Sequence, residues 1–302
     1  MATPRHFITG EEITGDELRK LIGRSRQLKT MGPSGTADPL RHRTVALMFE
    51  RPSTRTRVSF EVGVAQLGGA AIVLRSDELQ LTRGESVRDT AIVLSRYVDC
   101  IVARLGDHGL IEELAAHAGV PVINALTPLH HPCQVLADLA TLEERFGRLD
   151  DLKLAYVGDG NNVCNSLMLL GSRAGVQVAV ATPSDLRPSP EIVRAAGDGV
   201  ELTDDPETAV RGADALYTDV WVSMGDEQEA RKRREVLAPY QLNEQLLAAA
   251  GNGAIVMHCL PAHPGEEITE GLLYGEQSAV WDQAENRLHA QKALLELLLP
   301  DR

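Results

Sequence analysis

The stretch ERPSTRTRVSFEVG, residues 50–63, sets arginines, hydroxyl side chains and a proline directly behind the apolar run TVALMF. Ser53, Thr54 and Thr56 can donate hydroxyl hydrogens, and Arg55 offers a planar fork matched to phosphate oxygens. Pro52 restricts the turn that enters a helix, whose first N–H groups carry about half a positive charge. Open α/β sheets bind ligands at the carboxyl ends of their strands. The combination predicts a site for a phosphate-type anion at the end of the first strand. Capping by Ser53, with Arg57 paired to Glu61 one turn on, accounts for Arg57 but not for Ser, Thr, Arg and Thr together at one helix start. No G-x-x-x-x-G-K-[ST] occurs, which argues against hydrolysis of a nucleoside triphosphate.

Other polar residues fall at strand ends in the same way. Arg104 closes CIVAR, DVWVSMG (219–225) follows a strand, and HCLPA (258–262) ends AIVMHC. In VGDGNNV, Val163 stands where G-x-G-x-x-G needs its third glycine, so a tight turn with an asparagine cap is favoured over a dinucleotide site. His131 before Pro132 can simply cap a helix, and Arg287 in AENRLH can form a surface ion pair. Cys259 needs an activating base to act as a nucleophile. His258 is the adjacent candidate, but successive strand side chains point to opposite faces.

These residues need a scaffold that brings many strand ends together. Apolar, β-rich runs alternate with stretches of helical period along nearly the whole chain, the pattern of parallel βαβ units. The first set is TVALMFE (44–50), AAIVLR (70–75), CIVAR (100–104) and PVINA (121–125). The second is KLAYVG (153–158), VQVAVAT (176–182), ADALYTDV (213–220) and AIVMHC (254–259). Val87, Ala91 and Leu94 mark one helix face. HPCQVLADLATLEERFG carries Val135, Leu136, Leu139 and Leu142 at helical spacing and reads as a bridging helix. The terminal WDQAENRLHAQKALLELLL is a further long helix, its apolar end expected to dock on a partner surface. The charge run 226–240 reads as a solvated loop or short helix, or as a lid.

The expected architecture is therefore two α/β domains, each a parallel sheet flanked by helices, joined by bridging helices. The boundaries are placed at 1–130, with the terminal helix 284–302 packing back on it, and at 131–283. A chain of 302 residues has room for both. Thirty basic against forty-three acidic side chains, a net charge of -13, disfavour nucleic acid as a partner but not a small anion held by a local basic patch. No segment approaches the roughly 18 consecutive apolar residues of a membrane helix, and the N-terminus lacks the apolar core of a secretory leader, so the cytoplasm is expected. Four well-separated cysteines, Cys100, Cys133, Cys164 and Cys259, read as reduced thiols rather than a zinc site or disulfide framework.

The ordered set STRTR with SFE behind it, HPCQ, DVWVSMG, HCLPA and AENRLH resembles the ornithine carbamoyltransferases over essentially the whole chain. The resemblance implies carbamoyl transfer from carbamoyl phosphate to the δ-amine of ornithine, with no metal and no organic cofactor. It implies that Ser53, Thr54, Arg55 and Thr56 hold the phosphate, and that Gln80 is contributed from the neighbouring subunit of a homotrimer. Arg104, His131 and Gln134 surround the carbamoyl group, with Arg287 nearby. Asn162, Asp219, Ser223, Met224, Cys259 and Leu260 receive ornithine. Arg104, His131, Thr56 and Cys259 lie closest to the chemistry, Cys259 as a contact to the attacking amine. DELQLTRGES lacks the lysine that aspartate-specific members use, and a putrescine enzyme has no need of Asp219 with Ser223. A catalytically silent trimeric binding subunit is the alternative from another class.

Overall fold

The structure, a computed structural model, describes residues 4–33, 38–75, 84–222 and 230–300. They form two compact units, residues 1–140 with 286–302, and residues 141–285.

In the first unit, α1 (Gly15–Met31) opens with a reciprocal cap: Thr14 Oγ1 accepts the Glu17 N–H, and the Glu17 carboxylate accepts the Thr14 N–H. Then follow β1 (Thr44–Phe49), α2 (Thr54–Gln66), β2 (Ala70–Arg75), α3 (Val87–Leu94), β3 (Cys100–Arg104), α4 (His108–His117) and β4 (Val122–Leu126). All strand pairs are parallel and the order is β2-β1-β3-β4. β1 and β3 are apolar almost throughout and buried, as central parallel strands covered by helices must be. The connection from β1 runs to β2 on one side and that from β3 to β4 on the other, so the carboxyl ends of β1 and β3 flank a topological switch point. Ser53 and Arg104 stand there.

The chain continues through α5 (Pro132–Phe146) into the second unit, with the division at Ala140 and Thr141 inside that helix rather than ahead of it. The first turn of α5 is tied to the first sheet, where Cys133 Sγ donates to the Asn124 carbonyl at 3.3 Å. The second unit holds β5 (Lys153–Val157), α6 (Asn162–Arg173), β6 (Gln177–Ala181), α7 (Pro190–Ala196), β7 (Val200–Thr203), α8 (Pro206–Val210), β8 (Ala215–Thr218), α9 (Ala230–Leu237), α10 (Glu244–Ala249), β9 (Ile255–His258) and α11 (Glu270–Leu273). This sheet is also parallel, in the order β7-β6-β5-β8-β9, with its switch point between β5 and β8. Asp159, Asn161 and Asn162 follow β5, and Asp219 follows β8. β7 is the strand that apolar runs do not reveal: VELT is short, on the sheet edge and only partly buried.

α12 (Val280–Leu298) begins in the second unit and ends in the first. Its apolar end corrects the expectation of a partner surface, because Leu294, Leu295, Leu298 and Leu299 are buried within the chain itself. Arg24 of α1 donates to Glu296 at 2.6 Å, and Lys29 to Asn286 at 2.9 Å. Gly63 permits the close approach of α2, since a Cβ there would lie 3.3 Å from Cγ of Lys292. That packing carries Arg287 to the start of α2. In the run 226–240, the described part is α9 followed by a short 3-10 turn at Ala238–Tyr240.

Candidate active site

At the first switch point Ser53 occupies the N-cap position of α2, yet its side chain makes no cap bond. The hydroxyl instead accepts from Arg104 Nη1 at 3.3 Å. The β3/β4 register slips between Ala103 and Arg104, a local irregularity of the kind that re-aims a side chain at a sheet rim. Glu50 braces the same rim: its N–H donates to the Arg104 carbonyl, and its carboxylate accepts the Gly106 N–H. A groove of about 460 Å³ shares Ser53 and Thr54 with this rim.

Arg287 is buried, not a surface residue in an ion pair. It donates to Thr56 Oγ1 at 2.7 Å and to Gln134 Oε1, while Gln134 Nε2 donates to Asp138 at 2.8 Å. The Thr56 hydroxyl, accepting from a guanidinium, keeps its own hydrogen for a further acceptor. His131 is buried beside this group, and burial, followed by the charges of Arg287 and Arg104, holds its pKa well below the usual imidazole value. It is therefore a neutral hydrogen-bonding ring at pH 7, flanked by fixed cations. Thr54 and Arg55 are exposed on the first turn of α2, and Arg55 has no hydrogen bond or ion pair among the described residues. Arg57 pairs with Glu61 at 3.1 Å, as the spacing predicted.

In the second unit, Asn161 rather than Asn162 caps α6, its Oδ1 accepting the N–H groups of Val163 and Cys164 at 2.9 and 3.1 Å. Its Nδ2 donates to Asp219 Oδ2 at 2.7 Å. Asp219 Oδ1 accepts from Cys259 Sγ and from the Val220 N–H, each at 2.8 Å. The carboxylate is thus oriented from both sides. Gly160 is required by close approach, because a Cβ there would sit 2.2 Å from the Leu186 carbonyl oxygen. Asn162 begins α6, partly exposed beside this group.

The loop after β9 is held from beneath. His258 Nδ1 accepts the Leu260 N–H at 2.9 Å, and its Nε2 lies 3.2 Å from Glu267 Oε1. Both side chains are fully buried. Burial alone would raise the Glu267 pKa, but the bonds from His258 and His263 outweigh it and keep the carboxylate below its usual value. With both ring nitrogens so engaged, His258 does not serve Cys259 as a base. Leu260 has a φ of 59°, a conformation that costs a side-chain-bearing residue about 1 kcal/mol, and the His258 bond fixes it.

Sequence reasoning missed Asn161, Glu50 and the His258–Glu267 pair as supports. Asn161 had a signal, an asparagine at a strand-to-helix turn. The other contacts join residues that no local pattern relates. Gln80, Ser223 and Met224 lie outside the described residues. The four cysteines are buried and form no disulfide, and among the described residues no helix is long and apolar enough to cross a membrane.

Two adjoining family models cover the chain: "Aspartate/ornithine carbamoyltransferase, carbamoyl-P binding domain" matches residues 5–144, and the corresponding "Asp/Orn binding domain" matches 150–298. The chain belongs to the aspartate/ornithine carbamoyltransferase family. Among relatives, it is 54% identical to an ornithine carbamoyltransferase of Methanoculleus marisnigri over 98% of this chain and 97% of the relative. It is 53% identical to one of Acidothermus cellulolyticus over 98% and 96%. A solved structure of the Pyrococcus furiosus ornithine carbamoyltransferase superposes with a TM-score of 0.93 at 46% identity, covering 98% of both chains. That of Thermus thermophilus gives 0.91 at 43%, covering 99% and 100%.

For a carbamoyltransferase the buried pair under HCLPA makes a measurable claim. His258→Leu leaves the Leu260 N–H without its acceptor and Glu267 as a buried carboxylate without its ring partner. Breaking such a pair costs about 3 kcal/mol, so urea unfolding should show a loss of that order. The ornithine KM should rise while phosphate binding stays unchanged. Unaltered stability and KM would show that the pair does not hold the loop.

Proposed function

We propose that this carbamoyltransferase moves the carbamoyl group of carbamoyl phosphate onto the δ-amine of L-ornithine, giving L-citrulline and phosphate. The observation that carries the proposal is the pair of polar clusters at the two switch points, one built to take an anion and the other an amino acid, in a chain about half identical over its full length to ornithine carbamoyltransferases. Ser53, Thr54, Arg55 and Thr56 take the phosphate. Arg104, His131 and Thr56 direct donors at the carbamoyl oxygen, where negative charge grows as the amine attacks, with Gln134 and Arg287 beside the same group and Arg287 bonded to Thr56. One such donor is worth about 10²- to 10³-fold in rate. Asp219 and Ser223 take the α-ammonium group, Asn162 the α-carboxylate, and Met224, Cys259 and Leu260 the remainder of ornithine. The leaving phosphate accepts the amine proton, so no protein base is needed. Gln80 from a neighbouring subunit completes the site in a cytoplasmic homotrimer.

The amine must be neutral to attack, and a free alkylamine has a pKa of about 10.4. Well below that value the reactive fraction grows about tenfold per pH unit. His131, its pKa pushed down, stays neutral across this range and adds no acid limb near neutrality. The expected profile of kcat/KM for ornithine therefore climbs from pH 7 to 9, which a steady-state titration at fixed carbamoyl phosphate measures. A flat profile would remove amine deprotonation from rate control.

The deciding experiment supplies carbamoyl phosphate with ornithine, aspartate or putrescine and measures the carbamoylated product and released phosphate, with native mass measurement of the assembly. Citrulline formation supports the proposal. Turnover with another amine only, or none at all, overturns it.

A further inference from the structure

Between the end of β4 at Leu126 and the start of α5 at Pro132 lies the turn that delivers His131. Thr127 closes it twice: its N–H donates to the His130 carbonyl at 2.9 Å, and its hydroxyl accepts the His130 N–H at 3.2 Å. The same hydroxyl lies 2.8 Å from Nδ1 of His108, the first residue of α4. The His108 ring meets that of His130 edge-on, with centroids 5.0 Å apart at 61°, and its Nε2 lies 3.8 Å from Glu112 one turn on.

We propose that His108 is a positioning residue for carbamoyl transfer, fixing through Thr127 the turn that orients His131. The proposal rests on the function given above for the site.

The Thr127 hydroxyl also reaches the His130 carbonyl at 3.4 Å, and with a neutral His108 the shorter contacts are met as follows. The His130 N–H donates to Thr127 Oγ1, the Thr127 hydroxyl donates to His108 Nδ1, and His108 Nε2–H faces Glu112. Burial, partly opposed by the charges of Glu112, Glu12 and Asp107, lowers the His108 pKa and so favours its neutral form. His108 is not spent on capping its own helix, because Asp107 does that by accepting the Gly109 N–H at 2.7 Å. Thr127 is fully buried, and His130 nearly so. The turn thus has a fixed inner surface, and His131 follows it directly in the chain. A donor aimed at a developing oxyanion loses most of its effect when displaced by about 1 Å.

The test compares His108→Leu, which fills the space but accepts no hydrogen bond, with His108→Asn, whose side-chain amide can replace Nδ1. His108→Leu is expected to lower kcat about tenfold, leave the ornithine KM within about twofold, and shift the ring nitrogen resonances of His131 in histidine-labelled protein. His108→Asn should recover kcat to within about threefold. Thr127→Val should match His108→Leu, and the double variant should be no worse than either single one, since both remove one linkage. Unchanged kcat and His131 resonances in His108→Leu, equal losses in Leu and Asn variants, or additive losses in the double variant would each overturn the proposal. If the wild type forms no citrulline, the functional reading fails on its own, and the His131 resonances still decide whether His108 positions that ring.

Discussion

Arg55→Ala is expected to lower affinity for carbamoyl phosphate by about 10²- to 10³-fold while the protein remains folded. The side chain is exposed on the first turn of α2 and has no partner among the described residues, so no contact among them is lost with it. A charge-assisted hydrogen bond contributes about 1.5–3 kcal/mol, and a guanidinium can give a phosphate two of them at once. Two bonds at the lower end already correspond to about two orders of magnitude in affinity. Arg104 and Arg287 are bonded to Ser53 and Thr56, and those bonds keep them from swinging round to replace it. Isothermal titration with carbamoyl phosphate, alongside a thermal melt, measures both halves of the expectation. A variant that binds as tightly as the wild type would move the phosphate away from the α2 start, and with it the anion site.

The second large effect is expected at the other switch point. Asp219→Ala should reduce kcat/KM for ornithine by about 10²- to 10³-fold and spare carbamoyl phosphate binding. The carboxylate is nearly buried and accepts from Asn161, Cys259 and the Val220 N–H. Those donors hold it in one orientation, with its oxygens set to pair with an ammonium group. Its loss removes that ion pair and also leaves the donors aimed at empty space, each costing about 1–3 kcal/mol where water cannot enter. Asp219→Asn tests the distinction, since it keeps the shape and removes the charge. The two variants together define a division of labour. Arg55→Ala should weaken the anion and Asp219→Ala the amine, and equal effects of either variant on both ligands would show that the clusters do not act separately. Direct binding measurements with inorganic phosphate and steady-state kinetics with ornithine separate the outcomes.

Much of this was legible locally. A strand before STRTR and a helix after it follow from an apolar run, a proline and helical spacing, and those same residue types name an anion. The alternation of apolar runs with helical periods predicts the two parallel sheets, because a strand covered on both faces must be apolar nearly throughout. Edge strand β7 escaped for the converse reason: VELT, half exposed, is under no such demand.

The sequence by itself therefore determined the kinds of chemistry available and the strand ends that carry them, since propensity, periodicity and hydrogen-bonding capacity are local properties. It left open whether Arg287 is a surface cation, whether Ser53 merely caps its helix, and whether His258 serves Cys259. Only the tertiary structure decided these. Arg287 meets Thr56 and Gln134 because α12 packs against α2 at Gly63, and Ser53 turns to Arg104 because β1 and β3 are neighbours in the sheet. His258 is committed to Leu260 and Glu267. The Arg287 and Ser53 contacts join residues far apart along the chain, and even the nearer His258 contacts take their geometry only once the loop after β9 has packed.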